Sequence, residues 1–220
     1  MHRPSLFSAV LATGLTAAGV FALWARGAPE RQLAEAEVRW GVAIQPGDLV
    51  FQDLDCGLRC ELIREVTHSR YAHVGVVLDE RGERVVWEAL GPVGPTPLAK
   101  WLHRGRGHDV AVYRPTGRLA RGLDAIAREV RTMRGLPYDS DYQWDDERIY
   151  CSELYAKAVR RATGEEHFPP HALGPGAFGR HAGTIQRLSK GKLTEQTLMV
   201  SPLDLARSGD LARLVDELAE

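Results

Sequence analysis

Cys151 lies in the segment ERIYCSELYAKAVRRATG, at the start of a stretch with helical spacing. A thiol at a helix N-terminus feels the positive end of the peptide dipole, which favours the thiolate. A nucleophile still needs a base. His73 sits inside YAHVGVV, an otherwise apolar strand-like run where a polar ring requires a partner. Glu88 lies in VVWEAL, the run that returns after the turn DERGE. With the turn centred on Arg81-Gly82, opposed residue numbers sum to 163, so His73 faces Leu90 and Gly75 faces Glu88. All four residues share one face, and Glu88 becomes the diagonal neighbour of His73. A carboxylate there would fix the imidazole tautomer and stabilise the imidazolium. Tyr138, in RGLPYDSDYQWDDERIYC, precedes Cys151 by thirteen positions and offers a phenol to an oxyanion beside the Cys151 N–H. The four residues together describe attack of a thiolate on a carbonyl carbon. Each also has a plain structural reading: a small core residue, a buried ion pair, a loop aromatic.

The elements that must position them follow from periodicity. Residues 30–40 favour a helix, 48–52 and 109–114 read as strands, and 71–78 with 84–89 as a hairpin. Leu58, Leu62 and Val66 form one helical stripe. Thr96-Pro97 reads as cap and first residue of a short helix ending at His103. Helices are predicted at 118–133 and 150–162, a last strand at 197–200, and a short helix opened by Ser201-Pro202. Residues 165–195, rich in Gly, Pro and His, give no clear periodicity. Strands gathered in the middle with helices at both ends indicate an α+β domain.

The segments GDLVFQDLDCG, SRYAHVGVV, WEAL, GLPYD and YCSEL, in this order, resemble the circularly permuted papain-fold cysteine amidases of the YaeF/YiiX type, relatives of the NlpC-type cell-wall peptidases. The resemblance spans roughly residues 46–163, and VSPLDLARSGDL near the C-terminus also looks familial. It implies a permuted papain-like fold, with a small antiparallel barrel-like sheet packed on helices. It also implies Cys151 as nucleophile, His73 as base, Glu88 as the residue orienting the base, and Tyr138 as a lining of the oxyanion site. Members act on amide or ester bonds without a cofactor. The substrate implied is a peptide-like amide, with a lipid acyl group as the alternative. An inactive envelope binding module is a further alternative.

The remaining features bound this reading. The chain has 220 residues, 44% hydrophobic and 26% charged, which fits an ordinary globular domain. The net charge of −1 gives no broad basic surface for nucleic acid. Residues 6–24 are apolar or small throughout and read as a membrane anchor or signal peptide over 1–27. Residues 28–45 follow as a helical linker and 46–220 as the hydrolase domain, placed outside the cytoplasm. Without residues 1–27 the charge is −3. Cys56 and Cys60 share one helical face, where an oxidising compartment would permit a disulfide. With His68 and His73 they also mimic a two-Cys, two-His zinc set, but the gap of seven residues between Cys60 and His68 is short for one. The remaining histidines (apart from His2) and the run Asp145, Asp146, Glu147 read as surface or loop groups. Asp139 and Asp141 stand as alternatives to Glu88. The sequence leaves the oligomeric state open.

Overall fold

Strands covered on both faces carry near-continuous apolar runs, and LVFQ and HVGVVL are such runs. The computed structural model describes residues 28–219. In chain order the elements are α1 (Ala28–Trp40), β1 (Leu49–Gln52), α2 (Leu58–Thr67), β2 (His73–Glu80), β3 (Glu83–Glu88), β4 (Gly94–Pro97), α3 (Leu98–His103) and β5 (Val110–Pro115). They continue with α4 (Gly117–Arg121), α5 (Leu123–Thr132), α6 (Cys151–Thr163), β6 (His171–Ala172), α7 (Pro175–Ser189), β7 (Leu198–Met199), α8 (Pro202–Ala206) and β8 (Leu211–Asp216). Six strands form one antiparallel sheet in the order β4-β3-β2-β1-β5-β8.

One face of the sheet, with Phe51, Val74, Val76 and Trp87, packs on Ile126 and Val130 of α5 and on Leu154, Tyr155 and Ala158 of α6. The other face, with Val50, Val77, Val86 and Val112, packs on Leu98, Trp101 and Leu102 of α3. Leu33 and Trp40 of α1 cover the same core. Arg39 and Trp40 donate to Glu217, and Glu37 accepts from Ile44 N and from Arg84, so α1 lies against the sheet body. Among the described residues the sheet is open, with β4 and β8 as edges, so the barrel-like closure is not formed. Pro95 and Pro97 cannot donate to a further strand, which suits β4 to an edge.

The hairpin has the two-residue turn at Arg81 and Gly82, with φ of 53° and 87°. Positive φ at both central positions matches the twist of the strands. Its register runs from Glu80↔Glu83 to Val76↔Trp87, so opposed numbers sum to 163. Gly75 in β2 is required by close approach. A Cβ there would lie 2.3 Å from Val86 Cγ1 and 2.9 Å from the Trp87 carbonyl oxygen.

Several boundaries differ from expectation for local reasons. Thr96 does not cap α3: it lies in β4, and Pro97 is the N-cap. The helix expected over 118–133 is broken at Gly122, which leaves helical geometry (φ −96°, ψ 5°) between α4 and α5. The uncertain stretch 165–195 contains α7, whose Gly176, Gly179 and Gly183 lower its intrinsic propensity. Strand β8 pairs with β5 and was not expected. The apolar run 6–24 lies outside the described residues. Among the described residues, no helix is long and apolar enough to cross a membrane.

Cys56 and Cys60 form a disulfide with Cα atoms 5.2 Å apart, leaving Cys151 as the free cysteine. Two outcomes follow. Denatured, unreduced protein made under oxidising conditions should titrate one thiol with a thiol reagent, and reduction should raise this to three; three before reduction would contradict the bridge. Gly75→Ala should destabilise the domain by about 1–3 kcal/mol in denaturant melts, since neither the Val86 side chain nor the Trp87 carbonyl has room to withdraw.

Candidate active site

Helix α6 begins at Cys151, with Tyr150 as an extended N-cap residue (φ −99°, ψ 171°). Its first turn is closed from within, because Glu153 accepts the Tyr150 N–H at 3.2 Å. Burial pushes the Glu153 carboxyl up to about 7, against the opposing pull of Lys157, whose Nζ lies 2.8 Å away. The Cys151 N–H belongs to the first turn, where helical amides lack intrahelical acceptors. The thiol itself is buried at 4% exposure. Helix α6 lies across β2, whose first residue is His73.

His73 is 2% exposed, and its Nε2 lies 2.6 Å from Glu88 Oε2. That contact leaves Nδ1 as the ring nitrogen available to a second partner, and Cys151 lies near enough to act on the imidazole. Burial alone would push the imidazolium pKa down. The hydrogen bonds and charges of Cys151 and Glu88 outweigh it and raise it to about 9. The ring of Trp101 stacks on the imidazole with centroids 6.0 Å apart.

Glu88 is a buried carboxylate whose donors come from different elements. Thr96 Oγ1 donates to Oε1 at 2.7 Å. Trp101 Nε1 donates to Oε2 at 2.8 Å, and the Arg104 guanidinium donates to the same oxygen. Gln52 joins the network by donating from Nε2 to the Trp101 carbonyl and accepting from Arg104 Nε. Burial would raise the Glu88 carboxyl, but His73 and Arg104 hold it down at about 2. Gly75 has no side chain to stand between Glu88 and His73, since its missing Cβ would lie 3.4 Å from Glu88 Cβ.

Tyr138 is brought near Cys151 by a short parallel bridge to Ile149. Asp139 N donates to Ile149 O, and Ile149 N donates to Pro137 O. The Arg59 guanidinium lies 4.5 Å from its ring centroid. Burial, together with nearby Tyr142 and Cys151, pushes the Tyr138 phenol well above its usual value, so it stays a protonated donor. Asp139 and Asp141 do not contact His73. Asp139 accepts from Asp141 N, and Asp141 pairs with Arg148 and Lys192. The acidic run is a brace for the loop: Asp145 accepts two backbone amides, and Asp146 pairs with Lys157 and Arg161.

Thr96, Trp101, Arg104 and Gln52 were not singled out from sequence, and nothing in their spacing marks them as partners of Glu88. Tyr142 was also missed. It has φ of 51°, and its hydroxyl is buried near Tyr138 and Cys151 without hydrogen-bond geometry to any protein group. An aromatic residue at positive φ is uncommon and is a signal only a structure gives.

Residues 43–215 match the family described as "permuted papain-like amidase enzyme, YaeF/YiiX, C92 family". The chain belongs to this family of permuted papain-like amidases. It is 34% identical over 121 residues to the uncharacterized protein YiiX of Escherichia coli K12, an alignment covering 54% of this chain and 59% of that protein's length. A crystal structure of yiiX from Escherichia coli O157:H7, described as a metalloprotein, superposes with a TM-score of 0.68 at 26% identity. It covers 80% of this chain and 98% of that chain. Among the described residues here, no group of three or more His, Cys, Asp or Glu is arranged to hold a metal ion. The disulfide removes both thiolates from the two-Cys, two-His set.

The shifted His73 couples folding to pH. Its folded value lies above the ordinary 6.5, so its contribution is complete below about 6.5 and is lost as pH rises toward about 9. Unfolding free energy of the wild type should therefore fall more steeply with pH than that of His73→Gln in this window, by at most about 1.4 kcal/mol per pH unit. Equal slopes in urea titrations of the two proteins would contradict the raised value. Both proteins keep Glu153, so its titration cancels in the comparison.

Proposed function

We propose that this protein is a cysteine hydrolase that cleaves an amide bond through a thioester, with Cys151 as nucleophile, His73 as base and acid, and Glu88 as the group that orients His73. The observation that carries the reading is the continuous relay from the buried Glu88 carboxylate through His73 to Cys151 at the start of α6. Membership of a permuted papain-like amidase family supports it.

In the first step Sγ bonds to the carbonyl carbon with the Cys151 proton already held on His73 Nδ1, as the imidazolium that the raised His73 pKa favours. The negative charge then moves to the carbonyl oxygen, where the Cys151 N–H and the Tyr138 phenol donate to it. Collapse breaks the C–N bond, and the amine departs with the proton held by imidazolium. Water then attacks the thioester with His73 taking its proton. The C–S bond breaks, the acid is released, and Cys151 and His73 return to their starting state. Glu88 stays ionised throughout, because three donors besides His73 hold its oxygens. No cofactor has a part in this cycle.

The domain works outside the cytoplasm, tethered or exported by residues 6–24, on a peptide-like amide of the cell envelope. The Cys56–Cys60 disulfide supports this location, since such bridges persist in oxidising compartments.

Iodoacetamide should label Cys151 selectively at neutral pH, with peptide mapping as readout. His73→Ala should slow that labelling by about 10²-fold or more. Equal labelling rates in wild type and His73→Ala would sink the dyad. Glu88→Gln keeps the side-chain volume but removes the charge that stabilises imidazolium, so it should lower turnover of an amide substrate by about 10²–10⁴-fold.

A further inference from the structure

We propose that Arg59 is a positioning residue for the Tyr138 phenol, and that the Cys56–Cys60 disulfide holds Arg59 in place, so that the bridge supports the oxyanion site. The inference rests on the thioester reading above and adds a group that acts through Tyr138 rather than on the substrate. Arg59 comes from α2, which carries none of the four residues of that reading. Its guanidinium carbon lies 4.5 Å from the Tyr138 ring centroid, and Nη2 donates to Ser140 Oγ at 3.2 Å. One side chain therefore touches the ring and also the residue two positions further along the same loop.

The charge on Arg59 is not neutralised by a carboxylate. Other cations in and around α2 are: Arg64 pairs with Asp53, Arg70 with Asp109 and Arg106 with Asp55. Among the described residues no carboxylate pairs with Arg59, whose contacts are the Tyr138 ring and Ser140. A cation over an aromatic face is held by the ring quadrupole, more firmly as water is excluded. Burial pushes the Tyr138 and Tyr142 phenols up, and Arg59 pulls both down against it. A phenol drawn toward ionisation donates a stronger hydrogen bond to a developing oxyanion.

The two donor sides of the site are held differently. On the Cys151 side, the Tyr150 hydroxyl accepts from Val200 N at 3.0 Å, and Ser152 Oγ donates to the Val200 carbonyl at 2.6 Å. Tyr138 has the backbone bridge to Ile149, and Arg59 holds its ring. Arg59 depends in turn on the first turn of α2. That turn has Gly57 as its N-cap, at φ 69° and without a side-chain cap hydrogen bond. A helix start without such a cap leaves its first amides less well satisfied. The disulfide supplies the missing restraint. It closes residues 56–60 into a loop that contains Arg59, and Cys60, 1% exposed, roots that loop against Leu54 and Ala72. Closing so short a segment removes backbone freedom through which Arg59 could swing off the ring.

The test uses two reagents on Cys151 that differ in one respect. Acylation by 4-nitrophenyl acetate forms the Sγ–C bond through an oxyanion and breaks the C–O bond to release 4-nitrophenolate. Alkylation by iodoacetamide forms an Sγ–C bond and expels iodide with no oxyanion. Arg59→Met should slow acylation by about tenfold, the worth of a cation at a partly desolvated ring, while alkylation changes by less than about twofold. Arg59→Lys, which keeps the charge, should recover part of the loss. In a Tyr138→Phe background, Arg59→Met should change acylation by less than about twofold, because no phenol is left to position. Equal acylation by wild type and Arg59→Met, equal losses with both reagents, or the full loss in the Tyr138→Phe background would overturn the role of Arg59.

The bridge is tested by reduction with a water-soluble phosphine. The S–S bond breaks, each sulfur takes one proton from a water molecule, and the phosphorus takes its oxygen to become the phosphine oxide. Reduced, desalted wild type and Cys56→Ala/Cys60→Ala, both mapped at Cys151, should acylate at rates approaching that of Arg59→Met and alkylate as before. Unchanged acylation in both would overturn the part given to the bridge. Hydrogen exchange at the Asp139 and Asp141 amides, both bonded in the native loop, should quicken in Arg59→Met whatever the chemistry at Cys151. Unchanged exchange at both would overturn the hold on the loop. If exchange quickens but wild-type Cys151 is alkylated without being acylated, that hold stands and the thioester reading fails.

Discussion

A carboxylate with 4% exposure in the middle of a fold must be paired, and Glu88 is the group on which this molecule turns. Its oxygens receive the His73 ring from β2, the Thr96 hydroxyl from β4, and the Trp101 indole and Arg104 guanidinium from α3 and its C-cap. Meeting those demands ties the edge strand, the hairpin and α3 to one point. Removing one partner of such a buried cluster is costly, of order 3–5 kcal/mol, because the remaining charge stays buried. The same contacts decide the state of His73. Its Nε2 is held at 2.6 Å by a carboxylate that remains ionised, so Nδ1 is the ring nitrogen left for another partner, with Cys151 nearby.

The second constraint is the N-terminus of α6. Cys151 is placed by a helix whose apolar stripe, including Leu154, Tyr155 and Ala158, is buried against the sheet. Its first turn is braced by Glu153 and by the two side chains that grip Val200. The loop before it reaches back through the Tyr138–Ile149 bridge and is pinned by Arg148 to Asp141 and Asp145. Cys151, Tyr138 and the segment at Val200 are therefore coupled through the backbone near residues 149–152 and 200, while His73 arrives independently from the sheet.

Much of this arrangement was legible in the residues because it is local or periodic. The hairpin register could be read from the Arg81-Gly82 turn and the alternation around it, and that register puts Glu88 diagonal to His73. The helix at Cys151 could be read from its stripe and from the Arg160, Arg161 and Gly164 signals at its end. Family membership was likewise legible from five short segments in order. What escaped was long-range or overrode local preference. Thr96 looks like a helix cap next to Pro97, and only the adjacent strand shows that its hydroxyl serves Glu88. Trp101 and Arg104 carry no pattern that points at residue 88. Helix α7 forms despite three interior glycines because Ile185 is buried and α7 packs on α2. Strand β8 is short and only partly buried, and its place depends on β5.

The most direct measurement of the central claim is a nitrogen-15 NMR titration of the His73 ring in the wild type and in Glu88→Gln. The account predicts that wild-type His73 remains an imidazolium well above pH 7 and titrates near 9. It also predicts that Glu88→Gln, which loses the opposing charge, titrates at distinctly lower pH. Wild-type His73 titrating at or below its ordinary value of 6.5, or unmoved by Glu88→Gln, would contradict the relay from Glu88 through His73 to Cys151.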